Sequence, residues 1–323
     1  MISTFEVVRG RLEPAKGGMK QLDGVVWIDL VRPTEEEERA LERALGIEIP
    51  TRDEMQEIEL SSRLYRADRA LYMTATLPAQ ADSDDPELAP VTFVLARERL
   101  ITVRYHDPSA FRTFAQSASK TAIAGASGEM VLVALLEVIV DRMADIVERV
   151  AGNVDSISRT IFAPPGSPTS LRGSDFQRIL REIGRKGDLG AKLRDSLASL
   201  DRLGGFMTQV AASELEAEVR ARLATLNRDV RSLINHSEFL SQNVAFLLNA
   251  TLGMINIEQN AIIRIFSVAA VVFLPPTLIA SVYGMNFEHM PELGWTGAYP
   301  LALALMAASA ILPLWYFKRR GWL

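Results

Sequence analysis

The sequence contains no cysteine and only three histidines, and these shortages exclude several kinds of site. Without cysteine there are no disulfides, thiolate metal ligands or cysteine nucleophiles. The histidines, at positions 106, 236 and 289, lie far apart and lack metal-ligand spacing. A glycine-rich phosphate loop of the Walker type is also missing, which argues against an ATP-driven pump. No nucleophile–base pair stands out, so we expect no enzyme, no catalytic residues and no organic cofactor.

Charge is missing from two long stretches near the C-terminal end, residues 265–287 and 293–317. A helix needs about 20 apolar residues to cross a membrane, and both stretches are long enough. The alternative is a pair of buried helices in a soluble core, but helices of ordinary soluble domains are much shorter.

The net charge of −5 does not indicate nucleic acid as a partner. Residues 1–11 lack the apolar core of a signal peptide, so we expect the N-terminus to stay in the cytoplasm.

Basic residues predict the orientation of the two spans. Arg264 precedes the first span and residues 318–320 (Lys-Arg-Arg) follow the second, whereas the connecting segment has Glu288 and Glu292 and no basic residue. Because positive residues stay inside, we expect both termini in the cytoplasm, at the plasma membrane (the inner membrane of a bacterium). Two helices per chain cannot enclose an ion path, so a conducting protein of this kind would be a homo-oligomer with a central pore.

The remainder of the sequence predicts an α+β cytoplasmic domain, followed by a long stalk helix that leads into the two transmembrane helices. Strand-like segments rich in β-branched and aromatic residues lie at 5–12, 25–30, 71–77, 91–96 and 101–105, and the last two form a hairpin. Thr34 with Glu37 and Thr51 with Glu54 have capping-box spacing and mark two helix starts. The predicted organisation is a cytoplasmic α/β domain at 1–125, cytoplasmic helices at 126–205, a stalk helix at 206–262, a first transmembrane helix at 263–285, an outer loop at 286–297, a second transmembrane helix at 298–317 and a basic tail at 318–323.

Within the cytoplasmic helices we expect one helix from Gly128 to about residue 162. A second runs from 175 to about 203, with interruptions at Gly184, Gly187 and Gly190. Four carboxylates recur at steps of four and three along the first of these helices: Glu137, Asp141, Asp145 and Glu148. They share one helix face, which is either a field that concentrates divalent cations or a solvated face, and we favour the solvated face.

The segment 283–287, Tyr-Gly-Met-Asn-Phe, lies at the outer end of the first span. Gly284 permits backbone conformations closed to other residues, so it can end the helix and turn the chain. Asn286 then offers a neutral amide oxygen at the mouth of a pore. Magnesium keeps several of its waters. A ring of amide oxygens would therefore hold a hydrated Mg²⁺ weakly enough to let it pass.

With the Gly-Met-Asn triplet at 284–286, the sequence resembles the CorA family of magnesium transporters, whose signature this triplet is. Segments 255–260 (Ile-Asn-Ile-Glu-Gln-Asn) and 273–277 (Phe-Leu-Pro-Pro-Thr) and the ending at 316–323 are similar to the proteobacterial branch. The strong match covers about residues 235–323, whereas the earlier part agrees only in the order and type of its elements.

This resemblance implies a funnel-shaped homopentamer in which the first spans line the pore and the second spans form an outer ring. Gly284, Met285 and Asn286 would form the selectivity filter. The pore-lining positions implied by the family are Asn260, Ile263, Phe266, Leu274 and Thr277. Helical periodicity agrees in part, because positions 260, 263, 267, 270, 274, 277 and 281 keep one face.

Each group of pore-lining residues has a role and an alternative. Ile263, Phe266 and Leu274 would form a hydrophobic constriction that gates by dewetting. Phe266 is larger than the aliphatic residue expected there, so it either narrows the gate or turns aside into the helix interface. Asn260 and Thr277 would line the pore, the alternative being polar residues that join helices in the membrane. The adjacent prolines at 275 and 276 are either a gating flexure or a fixed kink.

The resulting functional hypothesis is passive, gated influx of divalent cations, chiefly Mg²⁺, with Co²⁺ and Ni²⁺ as further candidates. By resemblance, the pore would close when cytoplasmic Mg²⁺ fills acidic sites between subunits, and Asp229 is the candidate regulatory ligand. The basic tail would ring the inner mouth of the pore or meet anionic membrane lipid.

One alternative function is that of the zinc-handling branch of the superfamily. That branch tends to carry Gly-Ile-Asn, so Met285 argues against it. Another is a membrane-tethered scaffold that conducts nothing.

Overall fold

The computed structural model describes residues 1–17, 22–67, 70–81, 83, 86–120, 127–164, 174–210, 215–286 and 290–322. The chain divides into two compact units. The first comprises Met1–Ser170 and Arg178–Leu248, and the second comprises Leu171–Gln177 and Asn249–Leu323.

Within the described residues, seven strands of the first unit form one mixed sheet. The strands are β1 (Ile2–Val8), β2 (Arg11–Pro14), β3 (Val25–Val31), β4 (Leu64–Ala67), β5 (Ala70–Ala79), β6 (Glu87–Ala96) and β7 (Arg99–Arg104). Their order is β2-β1-β3-β7-β6-β5-β4. Only the β3–β7 pair is parallel among the described pairs, with Trp27 opposite Leu100 and Val31 opposite Arg104.

The hairpin predicted from the last two strand segments is confirmed as β6 and β7, with Ala96 opposite Arg99. A single strand at 5–12 was the wrong prediction, because this segment is a second hairpin, formed by β1 and β2. Its two turn residues, Arg9 (φ 51°) and Gly10 (φ 78°), are both left-handed, as a two-residue hairpin turn requires. The short edge strand β4 has no counterpart in the sequence prediction.

Helices cover both faces of the sheet. They include α1 (Glu35–Leu45), α2 (Arg52–Gln56), α3 (Leu60–Arg63), α4 (Ser109–Ala118) and α5 (Gly128–Ile161). Both capping boxes are confirmed, at Thr34 and Thr51. Leu41 and Leu45 of α1 join a core cluster with residues of the sheet. Aromatic contacts join the sheet to α4, with ring centroids of Trp27 and Phe114 5.4 Å apart.

Two long helices follow, α6 (Ser174–Val210) and α7 (Ala217–Tyr283). The predicted interruptions at Gly184, Gly187 and Gly190 are wrong, because α6 runs through all three. The predicted start of the stalk helix at residue 206 is also wrong, since 206–210 end α6 and α7 begins at Ala217.

The physical reason is that a glycine inside a packed helix costs only about 1 kcal/mol relative to alanine, and that Gly187 and Gly204 also serve close packing. A Cβ atom placed on Gly187 would lie 3.3 Å from Cγ1 of Val244, and one placed on Gly204 would overlap the side chain of Asn227. A missing side chain thus lets α6 approach α7, and glycine in a helix often has such a packing role.

The second unit contains the C-terminal part of α7, a 3₁₀ turn at Pro291–Gly294 and α8 (Ala298–Arg319). The helix α7 ends at Tyr283, within the predicted first span, and α8 begins at the predicted start of the second span. Residues 287–289 of the predicted outer loop lie outside the described residues.

Candidate ion pathway

The apolar segments of α7 and α8 expose most of their surface. In the described residues, these two helices are long and apolar enough to cross a membrane. Only 11% of the most apolar segment of α7 and 6% of that of α8 is buried. The most exposed large side chains of α7 include Ile263 (61%), Phe266 (71%) and Leu274 (65%). Core helices of a soluble domain would bury such residues. An exposed apolar surface of this kind indicates a membrane or a partner chain.

The two apolar segments have their charged ends on the same side. The guanidinium carbon of Arg264, just before the first segment, lies 5.5 Å from the ring centroid of Trp322, which follows the second. The apolar segments of α7 and α8 therefore run in opposite directions. This arrangement brings the start of the first segment and the end of the second to the same side of the apolar layer.

One face of the apolar part of α7 is covered within its own unit. Val268 and Val272, one turn apart, are buried, and Ile279 and Tyr283 continue this face as half-buried residues. At 100° per residue, positions 263, 270, 274, 277 and 281 lie about half a turn away from it.

The predicted pore-lining residues lie away from this covered face. Asn260, Ile263, Phe266, Leu274 and Thr277 are all exposed. They are therefore available to a pore that several chains enclose together.

The helix α7 continues through Pro275 and Pro276 without a break. Proline has no N–H, so the carbonyl groups of the residues four positions earlier lose their helical donor. Beside this gap, the hydroxyl of Thr277 donates a hydrogen bond to the carbonyl oxygen of Phe273 at 2.7 Å. The Thr277 oxygen keeps its lone pairs and can accept hydrogen bonds from water.

The predicted selectivity filter begins where α7 ends. The N–H of Gly284 donates to the carbonyl oxygen of Ala280 at 2.9 Å, and that of Met285 donates to the carbonyl oxygen of Val282 at 3.3 Å. The prediction that the helix ends at Gly284 is confirmed, but its φ lies outside the left-handed region, so Gly284 does not use a conformation closed to other residues. Glycine instead fits the close approach to Ala280, whose carbonyl oxygen would lie 3.0 Å from a Cβ at this position. Asn286 follows as an exposed residue.

The carboxylate row on α5 faces part of α7. Glu137 forms a two-bond ion pair with Arg222 of α7, through Nε and Nη2. The pKa of Asp141 is raised, first by burial and then by the negative charges of Glu137, Asp145 and Asp229. The structure therefore brings Asp229 near the α5 row, whereas Glu148 is not among the groups that act on Asp141.

This arrangement modifies the solvated-face interpretation, because one end of the row lies against α7. The pairing of Glu137 with Arg222 was not predicted, since nothing in the sequence marks contacts between residues so far apart. Within the part of the chain that the structure describes, no group of three or more His, Asp or Glu side chains has the arrangement of a metal site.

Comparison with known proteins gives a consistent result. The sequence matches the family described as CorA-like Mg²⁺ transporter protein over residues 23–319. It is 38% identical to the magnesium transport protein CorA of Pasteurella multocida and 35% identical to that of Escherichia coli, and each alignment covers all of both chains.

The fold is also similar to that of a solved structure. The complete structure of the CorA magnesium transporter from Methanocaldococcus jannaschii superposes with a TM-score of 0.77 at 16% identity, covering 100% of this chain and 99% of that one. At this low identity the likeness shows the fold alone. From the sequence matches, the chain belongs to the CorA family.

Proposed function

We propose that this chain is one subunit of a homopentamer that conducts Mg²⁺ passively through a central pore lined by α7. The observation that carries the proposal is the exposed face of α7, which holds the family's pore positions and leads to Asn286. Support also comes from the full-length relatives described as magnesium transport proteins. Five copies would place these faces around one axis, where each would gain the partners that a single chain lacks.

Along this pathway, polar and apolar rings would alternate. Asn260, Thr277 and Asn286 offer neutral oxygen atoms, which hold a hydrated ion without trapping it. Ile263, Phe266 and Leu274 offer no hydrogen-bond partners, so a narrow ring of these side chains would exclude water until the pore widens. Gating in this scheme is a change of pore width at the apolar rings.

The ion's own gradient would drive transport. With both termini in the cytoplasm, a doubly charged ion that moves inward through 100 mV gains roughly 4.6 kcal/mol, twice the value for one charge. This is sufficient for influx across a bacterial inner membrane. Co²⁺ and Ni²⁺ are further candidate ions, and the same flux assay compares them with Mg²⁺.

The decisive experiment is Mg²⁺ flux into proteoliposomes that contain a magnesium-sensitive dye. We expect Asn286→Ala to abolish flux while the purified protein remains assembled, because the filter loses its amide oxygen. A matched control is Asn235→Ala, which changes an exposed asparagine in the part of α7 that belongs to the first unit.

Normal Mg²⁺ flux through the Asn286→Ala variant would refute the role of Asn286 in the filter. Absence of Mg²⁺, Co²⁺ and Ni²⁺ flux from assembled wild-type protein would refute conduction and favour the scaffold alternative.

We further infer that cytoplasmic Mg²⁺ closes the pore by filling acidic sites between subunits, to which Asp229 contributes a ligand. Burial is the first cause of the raised pKa of Asp141, and the negative charges of Glu137, Asp145 and Asp229 add to it, a repulsion that a divalent cation would relieve. Asp229→Asn should therefore shift inhibition by internal Mg²⁺ to higher concentration, with the flux in low Mg²⁺ retained. Glu148→Gln removes a charge from the same row outside the cluster, so it should keep wild-type inhibition. Equal effects of the two substitutions would show that Asp229 is not a specific ligand.

A further inference from the structure

Three arginines of the second unit lie on aromatic rings close to the end of α8. Arg319 lies 4.0 Å from the ring centroid of Trp315, and Arg320 lies 5.5 Å from that of Tyr316. The third, Arg264 of α7, lies 5.5 Å from the ring centroid of Trp322. We call these six residues the arginine–aromatic cluster.

The end of α8 is built to hold Trp322 in place. Gly321 has a φ of 68°, and its N–H donates to the carbonyl oxygen of Lys318 at 3.2 Å. The N–H of Trp322 donates to the carbonyl oxygen of Phe317 at 3.0 Å, which completes a Schellman motif. The Trp322 ring then stacks on that of Phe317, with centroids 5.2 Å apart. Trp322 is thereby folded back to the point where it meets Arg264.

The ring contacts leave the hydrogen-bonding edges of the arginines available. A guanidinium group has five N–H donors, so one ring contact leaves donors for a further partner. In the part of the chain that the structure describes, none of the three arginines forms an ion pair with a carboxylate, and all three are exposed. Such a fork of donors matches two oxygen atoms of a phosphate group.

The position of the cluster indicates that this phosphate group would belong to a membrane lipid. Arg264 stands at the first residue before the apolar stretch of α7, and Lys318 and the two arginines beyond it follow the apolar stretch of α8. Trp315, Tyr316 and Trp322 are 53%, 51% and 44% exposed. Amphipathic rings of this kind prefer the depth of lipid headgroups. The cluster therefore combines phosphate donors with rings suited to the glycerol region of a lipid.

We propose that the arginine–aromatic cluster is a binding site for the headgroup of an anionic phospholipid, formed jointly by α7 and α8. This proposal rests on the proposed insertion of both helices in a membrane. Charge alone would attract such lipids to any basic tail. A built site differs because it requires guanidinium geometry and the rings that orient it, so Lys318, which has no ring partner among the described contacts, contributes charge only.

The test is native mass spectrometry of the purified full-length protein equilibrated with equal amounts of phosphatidylglycerol and phosphatidylcholine. We expect wild-type protein to retain phosphatidylglycerol preferentially. Arg264→Gln should reduce this preference by more than the about fivefold that one charge at a membrane surface accounts for, because the guanidinium fork is lost as well. Arg264→Lys keeps the charge but loses the fork, so it should still reduce the preference. Trp322→Ala should also reduce it, whereas Lys318→Gln should cost no more than about fivefold, the effect of one charge.

Several outcomes would overturn the site. Wild-type protein without preference for phosphatidylglycerol would do so, as would Arg264→Lys with wild-type preference or Lys318→Gln with a loss equal to that of Arg264→Gln. The last two would show attraction by charge alone. Mg²⁺ flux of the same preparations separates this proposal from the proposed function, because lost lipid preference with intact flux concerns the lipid site only. Arg264→Lys is the conservative variant that keeps the test valid where Arg264→Gln does not assemble.

Discussion

Gly204 of α6 lies directly against the side-chain amide of Asn227 on α7. Nδ2 of Asn227 donates to Oγ1 of Thr208 at 3.3 Å, and the Thr208 hydroxyl donates to the carbonyl oxygen of Gly204 at 2.8 Å. A Cβ on Gly204 would overlap Oδ1 of Asn227, which is buried. The next residue, Gly205, has no atom within 4 Å of a Cβ placed on it. The two adjacent glycines therefore offer a matched pair for mutation.

We predict that Gly204→Ala is less stable than Gly205→Ala by about 1–2 kcal/mol. Both substitutions gain about 1 kcal/mol of helix propensity. Only the first forces Asn227 to rotate and give up its hydrogen bond to Thr208, which is worth about 1 kcal/mol. Thermal unfolding of the purified protein would measure the difference. Equal midpoints for the two variants would contradict the close contact, whereas Asn227→Ala should remove most of the penalty of Gly204→Ala.

These glycines also show what could be predicted from the sequence and what could not. The two apolar helices follow directly from stretches without charge, and the capping boxes follow from residue spacing. Glycine in a helical pattern has two meanings, a break or a close approach, and only the neighbour distinguishes them. That neighbour, Asn227 for Gly204, belongs to another helix and leaves no local signal.

The candidate site likewise has parts that the sequence predicts and parts that it does not. Gly-Met-Asn at 284–286 is a local motif, and the exposed face of α7 follows from helical periodicity. The approach of Asp229 to Asp141 joins two helices distant in sequence, and Asp229 was predicted only by resemblance to the family. The helix end at Gly284 was predicted correctly, but the special conformation expected of glycine was not found, since its φ lies outside the left-handed region.

A second prediction concerns His106, a buried side chain in the first unit. Its Nε2 lies 2.9 Å from the carbonyl oxygen of Leu77, and its Nδ1 is buried without a hydrogen bond to the described residues. Burial lowers the pKa of His106, and the hydrogen bond to Leu77 opposes this only in part. At neutral pH the folded protein therefore holds His106 as the neutral imidazole.

Because the folded-state pKa lies below the unfolded value, the unfolded chain binds more protons between these two values. Stability should then be lost as the pH falls below about 6.5, the ordinary value for histidine. We expect His106→Gln to weaken this dependence in unfolding midpoints measured between about pH 7 and about pH 5. His236→Gln changes an exposed histidine and should keep the wild-type dependence. An unchanged pH dependence in His106→Gln would assign the effect to other groups.

A third prediction uses the absence of cysteine from the sequence, which makes single-cysteine variants free of background. Leu274→Cys, on the exposed face of α7, should react with a water-soluble thiol reagent in the open protein and lose Mg²⁺ flux on reaction. Val268→Cys lies on the covered face, 5% exposed, and should react slowly under the same conditions. Equal reaction of both positions would contradict the assignment of the two faces.

The last prediction separates a pore role for Thr277 from a structural one. Its hydroxyl donates to the carbonyl oxygen of Phe273, next to the carbonyls that Pro275 and Pro276 leave without helical donors. Thr277→Val keeps the shape but removes the hydroxyl, whereas Thr277→Ser keeps the hydroxyl and removes a methyl group. If the oxygen contacts hydrated Mg²⁺, Val should reduce flux about tenfold, the effect of roughly 1.4 kcal/mol, while Ser retains it. If the hydroxyl only supports the helix, Val should lower the unfolding midpoint with little change in flux per assembled protein. Measuring flux and unfolding on the same preparations therefore decides between the two roles.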